Sequence, residues 1–144
     1  MAEFEVSIGT LHGHLTSVVS DPHGVSPTTV INLNHDWHLT VDWQLHGPAV
    51  PMIAGNWRVQ AYLESMGPGP EIPVVSDTVS IASGGTADPF GLSYHRDYII
   101  GPNTPAEEGV YKLVTVITSE SPSGTPGPFA AFEEGPLLQF YRGI

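Results

Sequence analysis

The chain reads as an all-β sandwich, and three observations lead there. The first is a pair of alternating runs. His38-Leu39-Thr40-Val41-Asp42-Trp43-Gln44-Leu45-His46 is apolar at every odd position and polar at every even one, and Trp57-Arg58-Val59-Gln60-Ala61-Tyr62-Leu63-Glu64 repeats the pattern. Period two means strands with one buried face and one wet face. The second is punctuation: 16 glycines and 14 prolines, well above ordinary usage, stand as turn signals between apolar runs. The third is that no helical period runs beyond about two turns. At 144 residues the chain has the size of one domain and can bury a core without metal or disulfide staples. We therefore read residues 1–144 as a single β-sandwich of roughly seven to nine antiparallel strands.

Phe4, Val6 and Ile8 alternate with Glu3, Glu5 and Ser7, which predicts a first strand. Gly9 to Ser20 is ambiguous, although Leu15, Val18 and Val19 could extend a strand across Gly13. Asp21-Pro22-His23-Gly24 is a turn by composition. Thr29 to Asn34 predicts another strand; the two alternating runs follow, joined by a loop from Gly47 to Gly55. Gly67-Pro68-Gly69-Pro70 breaks the chain, a short strand is expected around Val79 and Ile81, and Ser83 to Pro89 is a loop. Tyr94 to Ile100 alternates again and stops at Gly101-Pro102-Asn103-Thr104-Pro105. Val110 to Thr118 is apolar on both faces, which predicts a central strand. Ser119 to Pro128 turns the chain, and Phe129 to Tyr141 closes it as one strand broken near Gly135-Pro136.

Charge and cysteine usage exclude several functions. The net charge is −11, with Arg58, Arg96, Lys112 and Arg142 as the only Lys or Arg residues. Such a surface repels phosphate backbones and offers no polybasic patch, so neither nucleic acid nor membrane insertion is expected. The absence of cysteine removes disulfides, thiolate zinc sites and cysteine nucleophiles together, and it leans toward a reducing compartment. Met1-Ala2-Glu3-Phe4-Glu5-Val6 has no basic or apolar leader character, and no apolar stretch reaches spanning length. The expected location is cytoplasmic, unless a signal peptide has been removed.

Glu107-Glu108-Gly109-Val110-Tyr111-Lys112-Leu113 resembles the tyrosine-corner segment of immunoglobulin-like domains, where such a run enters the penultimate strand. Those domains also carry an inward Trp, a place that Trp43 suits. The resemblance implies an immunoglobulin-like sandwich without the usual disulfide, and nothing about a ligand.

If the two alternating runs pair as a hairpin with His46 opposite Asn56, then Leu45 meets Trp57 and Trp43 meets Val59. The other face would carry His38, Thr40, Asp42, Gln44 and His46 against Arg58, Gln60, Tyr62 and Glu64. This polar face is the candidate binding surface. Histidines give the second candidate. His12-Gly13-His14 puts two imidazoles on one side of an extended segment, the way several metal sites on strands begin. A third ligand would be His23, His35 or His38, with Asp36 or Asp21 as a carboxylate. Zinc or another transition metal ion is the cofactor on this alternative; on the main reading there is none. No Gly-x-Ser-x-Gly elbow or ordered Asp-x-Asp-x-Asp run occurs. Glu107-Glu108 and Glu133-Glu134 would point to opposite faces of their strands.

Trp37 and Tyr62 lie on the polar side of their runs and suggest a third role, stacking on sugars. The segment holding Phe129, Phe132, Leu137, Leu138, Phe140 and Tyr141 is strongly apolar and, as an edge strand, would pair with another chain. Removing residues 137–144 is then expected to monomerise or insolubilise the protein. The reading favours a non-enzymatic binding or assembly module that works through the polar face and edge strands. Its partner would be itself, as a homo-oligomer, or another protein. The alternatives are a His-ligated metal protein or metalloenzyme and a carbohydrate-binding module.

Overall fold

Two β-sheets pack face to face in the computed structural model, and no helix occurs among its described residues. Residues 2–6, 12–21, 28–47, 53–69, 71–88 and 91–143 are described, with the side chains of Glu5, Val6, His12 and Asp88 excepted. In chain order the strands are β1 (Ala2–Glu3), β2 (Glu5–Val6), β3 (His12–Ser20), β4 (Val30–Asn32), β5 (Trp37–His46) and β6 (Asn56–Ser65). Then follow β7 (Ile72–Ser80), β8 (Thr86–Asp88), β9 (Gly91–Ile100), β10 (Gly109–Glu120) and β11 (Pro126–Tyr141). Seven of these are nine residues or longer; β1, β2, β4 and β8 are two or three. The short ones account for the excess over the expected count, since two or three residues carry no readable period. The expectations for Ile8, for Pro22-His23-Gly24 and for residues 48–52 fall outside the described residues.

The first sheet runs β1-β3-β5-β9-β8 and the second β2-β11-β10-β6-β7, with β4 parallel to β11. This corrects the hairpin expected of the two alternating runs. β5 lies between β3 and β9, whereas β6 lies between β10 and β7 in the other sheet. The alternation was right about which residues are buried; the loop between the runs crosses from one sheet to the other. The C-terminal segment is an edge only in part, since its outer side has strand partners at Phe129-Ala130 and at Gln139–Tyr141. β11 pairs with β10 on one side and with β2 and β4 on the other. It runs unbroken through Gly135-Pro136 by means of a register shift opposite Lys112 to Val114. β10 is central, as its two apolar faces predict.

The inward rows meet as one core. Trp37, Trp43 and Trp57 are all at most 2% exposed. Trp43 stacks on its rung partner Tyr94 at 5.1 Å, and Trp57 from the opposite sheet meets Tyr94 edge-on at 5.8 Å. Phe4 lies between β1 and β2, where the chain changes sheets, and packs 5.3 Å from Trp57. At the other end Phe140 meets Trp37 at 5.5 Å and Tyr111 at 5.6 Å. Offset and edge-on contacts of this kind add about 0.5–1.5 kcal/mol each beyond area burial.

Both long sides of the sandwich are tied by a carboxylate. Ser17 of β3 donates from its backbone N, at 3.0 Å, and from its hydroxyl, at 2.5 Å, to Glu133 Oε1 of β11. On the opposite side Tyr98 of β9 donates its hydroxyl to Asp77 Oδ2 of β7 at 2.7 Å. Asp77 sits in the inward row with Val75 and Val79, which is why the alternation there reads as only a short strand.

Candidate functional site

Direct pairing places residues of adjacent strands on one face. On the outer face of the first sheet the rungs read His12–His46–Gly91, His14–Gln44–Ser93, Thr16–Asp42–His95, Val18–Thr40–Asp97 and Ser20–His38–Ile99. Half of the expected binding face, His38, Thr40, Asp42, Gln44 and His46, therefore lies here. Arg58, Gln60, Tyr62 and Glu64 lie on the outer face of the second sheet, on the opposite side of the molecule. The structure divides that single predicted face into two.

The best-defined cluster on the first face centres on His95. Its Nδ1 is 2.6 Å from Asp42 Oδ1 and its Nε2 is 3.1 Å from Asp97 Oδ2, and Thr40 donates to Asp97 Oδ1 at 2.7 Å. The hydrogen bond to Asp42, then that to Asp97, holds the imidazole pKa above its ordinary value, since both stabilise the charged ring. The Thr40 hydroxyl, then His95, holds the Asp97 carboxyl below its ordinary value. Beside this cluster a shallow cavity of about 210 Å³ is lined by His14, Thr16, Asp42, Gln44 and Ser93. At the end of the face His46 Nε2 lies 2.7 Å from Gln44 Oε1. A Cβ at residue 91 would stand 2.6 Å from His46 Nδ1, so glycine there makes room for the ring.

The histidines do not gather as expected. His14 lies on the first face, but His38 lies at its far end and His35 is exposed in the turn after β4; the His12 side chain is outside the described residues. His23 is outside the described residues. Asp36 is exposed in the same turn as His35, and Asp21 directly follows β3. Among the described residues no group of three or more His, Asp or Glu side chains is placed to hold a metal. Trp37 is no stacking platform: its ring is buried and its Nε1 donates to Thr104 O at 2.8 Å. Tyr62 is partly exposed on the second sheet. His95 and Asp97 stand on the polar side of an alternating run and so carried a signal, but the sequence did not reveal that Asp42 is their neighbour.

The outer face of the second sheet differs in kind. Val30, Val110, Phe132, Leu137 and Tyr141 occupy outward positions on β4, β10 and β11 and are 42–52% exposed. They are five of the eight exposed large hydrophobic residues described. Lys112 lies among them, 3.4 Å from Glu134 and 3.7 Å from Glu64.

The chain is thus an all-β protein of two packed sheets with one polar and one mixed apolar outer face. No family model matches it, and no characterised relative matches it by sequence. Among solved structures it is similar to a β-glucosidase from Listeria innocua in complex with glucose. That match has a TM-score of 0.51 and 12% identity, over 92% of this chain and 16% of the enzyme's. The same enzyme in complex with isofagomine matches with a TM-score of 0.51 and 12% identity, over 92% and 17%. A Niemann-Pick type C2 protein from Japanese carpenter ant matches with a TM-score of 0.42 and 10% identity, over 96% of this chain and 98% of that one. The chain spans about a sixth of the length of the glucosidase, and at such identities the likeness shows the fold alone.

Proposed function

We propose that the chain is a non-enzymatic binding or assembly module that works through the outer face of its second sheet. The observation that carries this is the concentration of Val30, Val110, Phe132, Leu137 and Tyr141 on one face. Contiguous exposed apolar residues rimmed by polar ones mark interaction surfaces, and Arg58, Gln60, Tyr62 and Glu64 supply the polar part on β6. Edge strands are the second element of this reading: among the described residues β11 has strand partners on its outer side at Phe129-Ala130 and Gln139–Tyr141, with residues 131–138 between them. The test is position-specific photo-crosslinking in the cells that make the protein. A probe at Phe132 or Leu137 is expected to crosslink and one at Thr40, on the opposite face, is not; the reverse pattern overturns the reading.

Kinship with immunoglobulin-like sandwiches belongs to the same proposal. Its support is that Tyr111 donates its hydroxyl to Glu107 O at 3.1 Å, the upstream bond of a tyrosine corner. A second reading, a zinc or other transition-metal site, retains one observation. The backbone register sets position 12 opposite His46 and His14 opposite Gln44, so His46 takes the place of His23, His35 or His38 as the third residue of this set. Native mass spectrometry of untagged protein decides it: one bound metal per chain that is lost in His14→Ala supports the site, and metal-free protein removes it.

A further inference from the structure

We infer that the occupant of the second sheet's outer face is a second copy of this chain, related by a two-fold axis. The inference rests on the functional reading above and names its partner. Charge is the first argument. Between the rungs Arg58–Thr118–Ala130 and Val110–Gln139, the charged residues that β6, β10 and β11 present outward are Arg58 and Lys112 against Glu64 and Glu134. Half of the chain's four basic residues but only two of its fifteen acidic ones are presented outward between these rungs. In a molecule of net charge −11, the outward charges of this area balance, so two copies meet there with little local repulsion. A basic partner, by contrast, would be drawn to the acidic surface elsewhere.

The second argument is self-complementarity. A two-fold interface sets a patch against itself, so the patch must carry both members of every pair it makes. Lys112 with Glu134 and Glu64, set among Phe132, Leu137 and Val110, meets that condition: the ammonium of one copy can face a carboxylate of the other while the apolar side chains interleave. Flat sheet faces pack in this way about 10 Å apart inside every sandwich.

The third argument concerns the terminal strands of the two sheets, which are poor at edge-to-edge addition. β1, β2, β4 and β8 are two or three residues long, and β7 carries Pro73 and the inward carboxylate of Asp77. Short strands, proline and inward charge are how sheets block edge-to-edge addition.

The test is light scattering combined with sedimentation equilibrium on untagged full-length protein, over a range of concentrations at low salt and at about 0.5 M salt, where the Debye length is roughly 4 Å. A dimer is expected, and it is expected to tighten with salt as the repulsion between acidic copies is screened. Leu137→Glu and Phe132→Glu should each weaken it about tenfold or more, as loss of an interface anchor does. Ile99→Glu on the first sheet should leave it unchanged. Phe132 and Leu137 are each 52% exposed, so the circular dichroism spectra of these variants are expected to match the parent, which shows that the fold is kept. A monomer at every concentration and salt overturns the inference. So does a dimer that Leu137→Glu and Phe132→Glu both leave intact, or one that Ile99→Glu abolishes. Crosslinks from positions 132 and 137 to a different protein, with the purified chain monomeric, overturn the second copy and leave the functional reading standing.

Discussion

His95 shows how one residue acquires its chemistry from neighbours far away in the chain. Alone it is an exposed imidazole; between Asp42 and Asp97 it becomes a link between β5 and β9 whose charged form both carboxylates favour. Its folded pKa is raised above the ordinary 6.5, so the stability it adds is fully present below about pH 6.5 and is lost as pH rises through the raised value. The Asp97 carboxyl is lowered from 3.8, so its contribution is present above that value and is lost as pH falls through the lowered one. The urea midpoint of the parent, measured against that of His95→Gln, is therefore expected to decline on going from pH 6 to 9. Parallel curves would contradict the assignment. Trp37 teaches the converse lesson. Read on the polar side of its run it is a surface aromatic, yet it shares the parity of Leu39 and Val41, is the first inward residue of β5 and is anchored on Thr104. Trp37→Ala is expected to cost about 3–5 kcal/mol, the usual range for a buried tryptophan, as read by chemical denaturation.

At the scale of the strand, alternation tells which face is buried and does not tell which strands are neighbours. The alternation of β5 and β6 correctly assigned Leu39, Val41, Trp43 and Leu45, and Trp57, Val59, Ala61 and Leu63, to the interior. A hairpin and a crossing between packed sheets make the same demand on that pattern, because both bury one side of each run. Only pairing partners distinguish the two, and those lie on β3, β9, β7 and β10. The candidate site was illegible for the same reason, since its residues belong to different strands. β11 alters a specific expectation. Leu138 and Phe140 are at most 1% exposed, and Arg142 donates to Asn103 Oδ1 at 2.6 Å and to Ala106 O at 3.2 Å. Deleting residues 137–144 is now expected to unfold the protein, with loss of its near-ultraviolet circular dichroism, and not to yield a folded monomer. The tie across the β7 side is a milder test. Tyr98→Phe removes a hydrogen bond to a carboxylate and should cost about 1.5–3 kcal/mol in urea unfolding.

For the whole molecule, the sandwich class followed from period and punctuation, because those report burial, and burial is shared by every two-sheet arrangement. The strand order did not follow, because it depends on which sheet each loop leads to. The two outer faces were merged into one for the same reason. Once separated they differ plainly: the first carries His14, Asp42, His95 and Asp97 in a hydrogen-bonding array, the second Phe132 and Leu137 in an apolar one.

The interleaving of the sheets along the chain has a kinetic consequence. β6–β7 and β10–β11 are local hairpins within the second sheet, whereas β5 must wait for β9, with β6 and β7 lying between them in the chain. Loop closure disfavours the distant pairing until the intervening strands are in place. The folding nucleus is expected in the second sheet, with φ-values of about 0.5 or more for Val59→Ala and Val116→Ala and below about 0.3 for Val41→Ala. Before the barrier is crossed, the backbone of β5 is then unpaired on its β9 side. During synthesis the chain carries that open strand until residues 91–100 have emerged, which is the interval in which it is most exposed to pairing with another nascent copy.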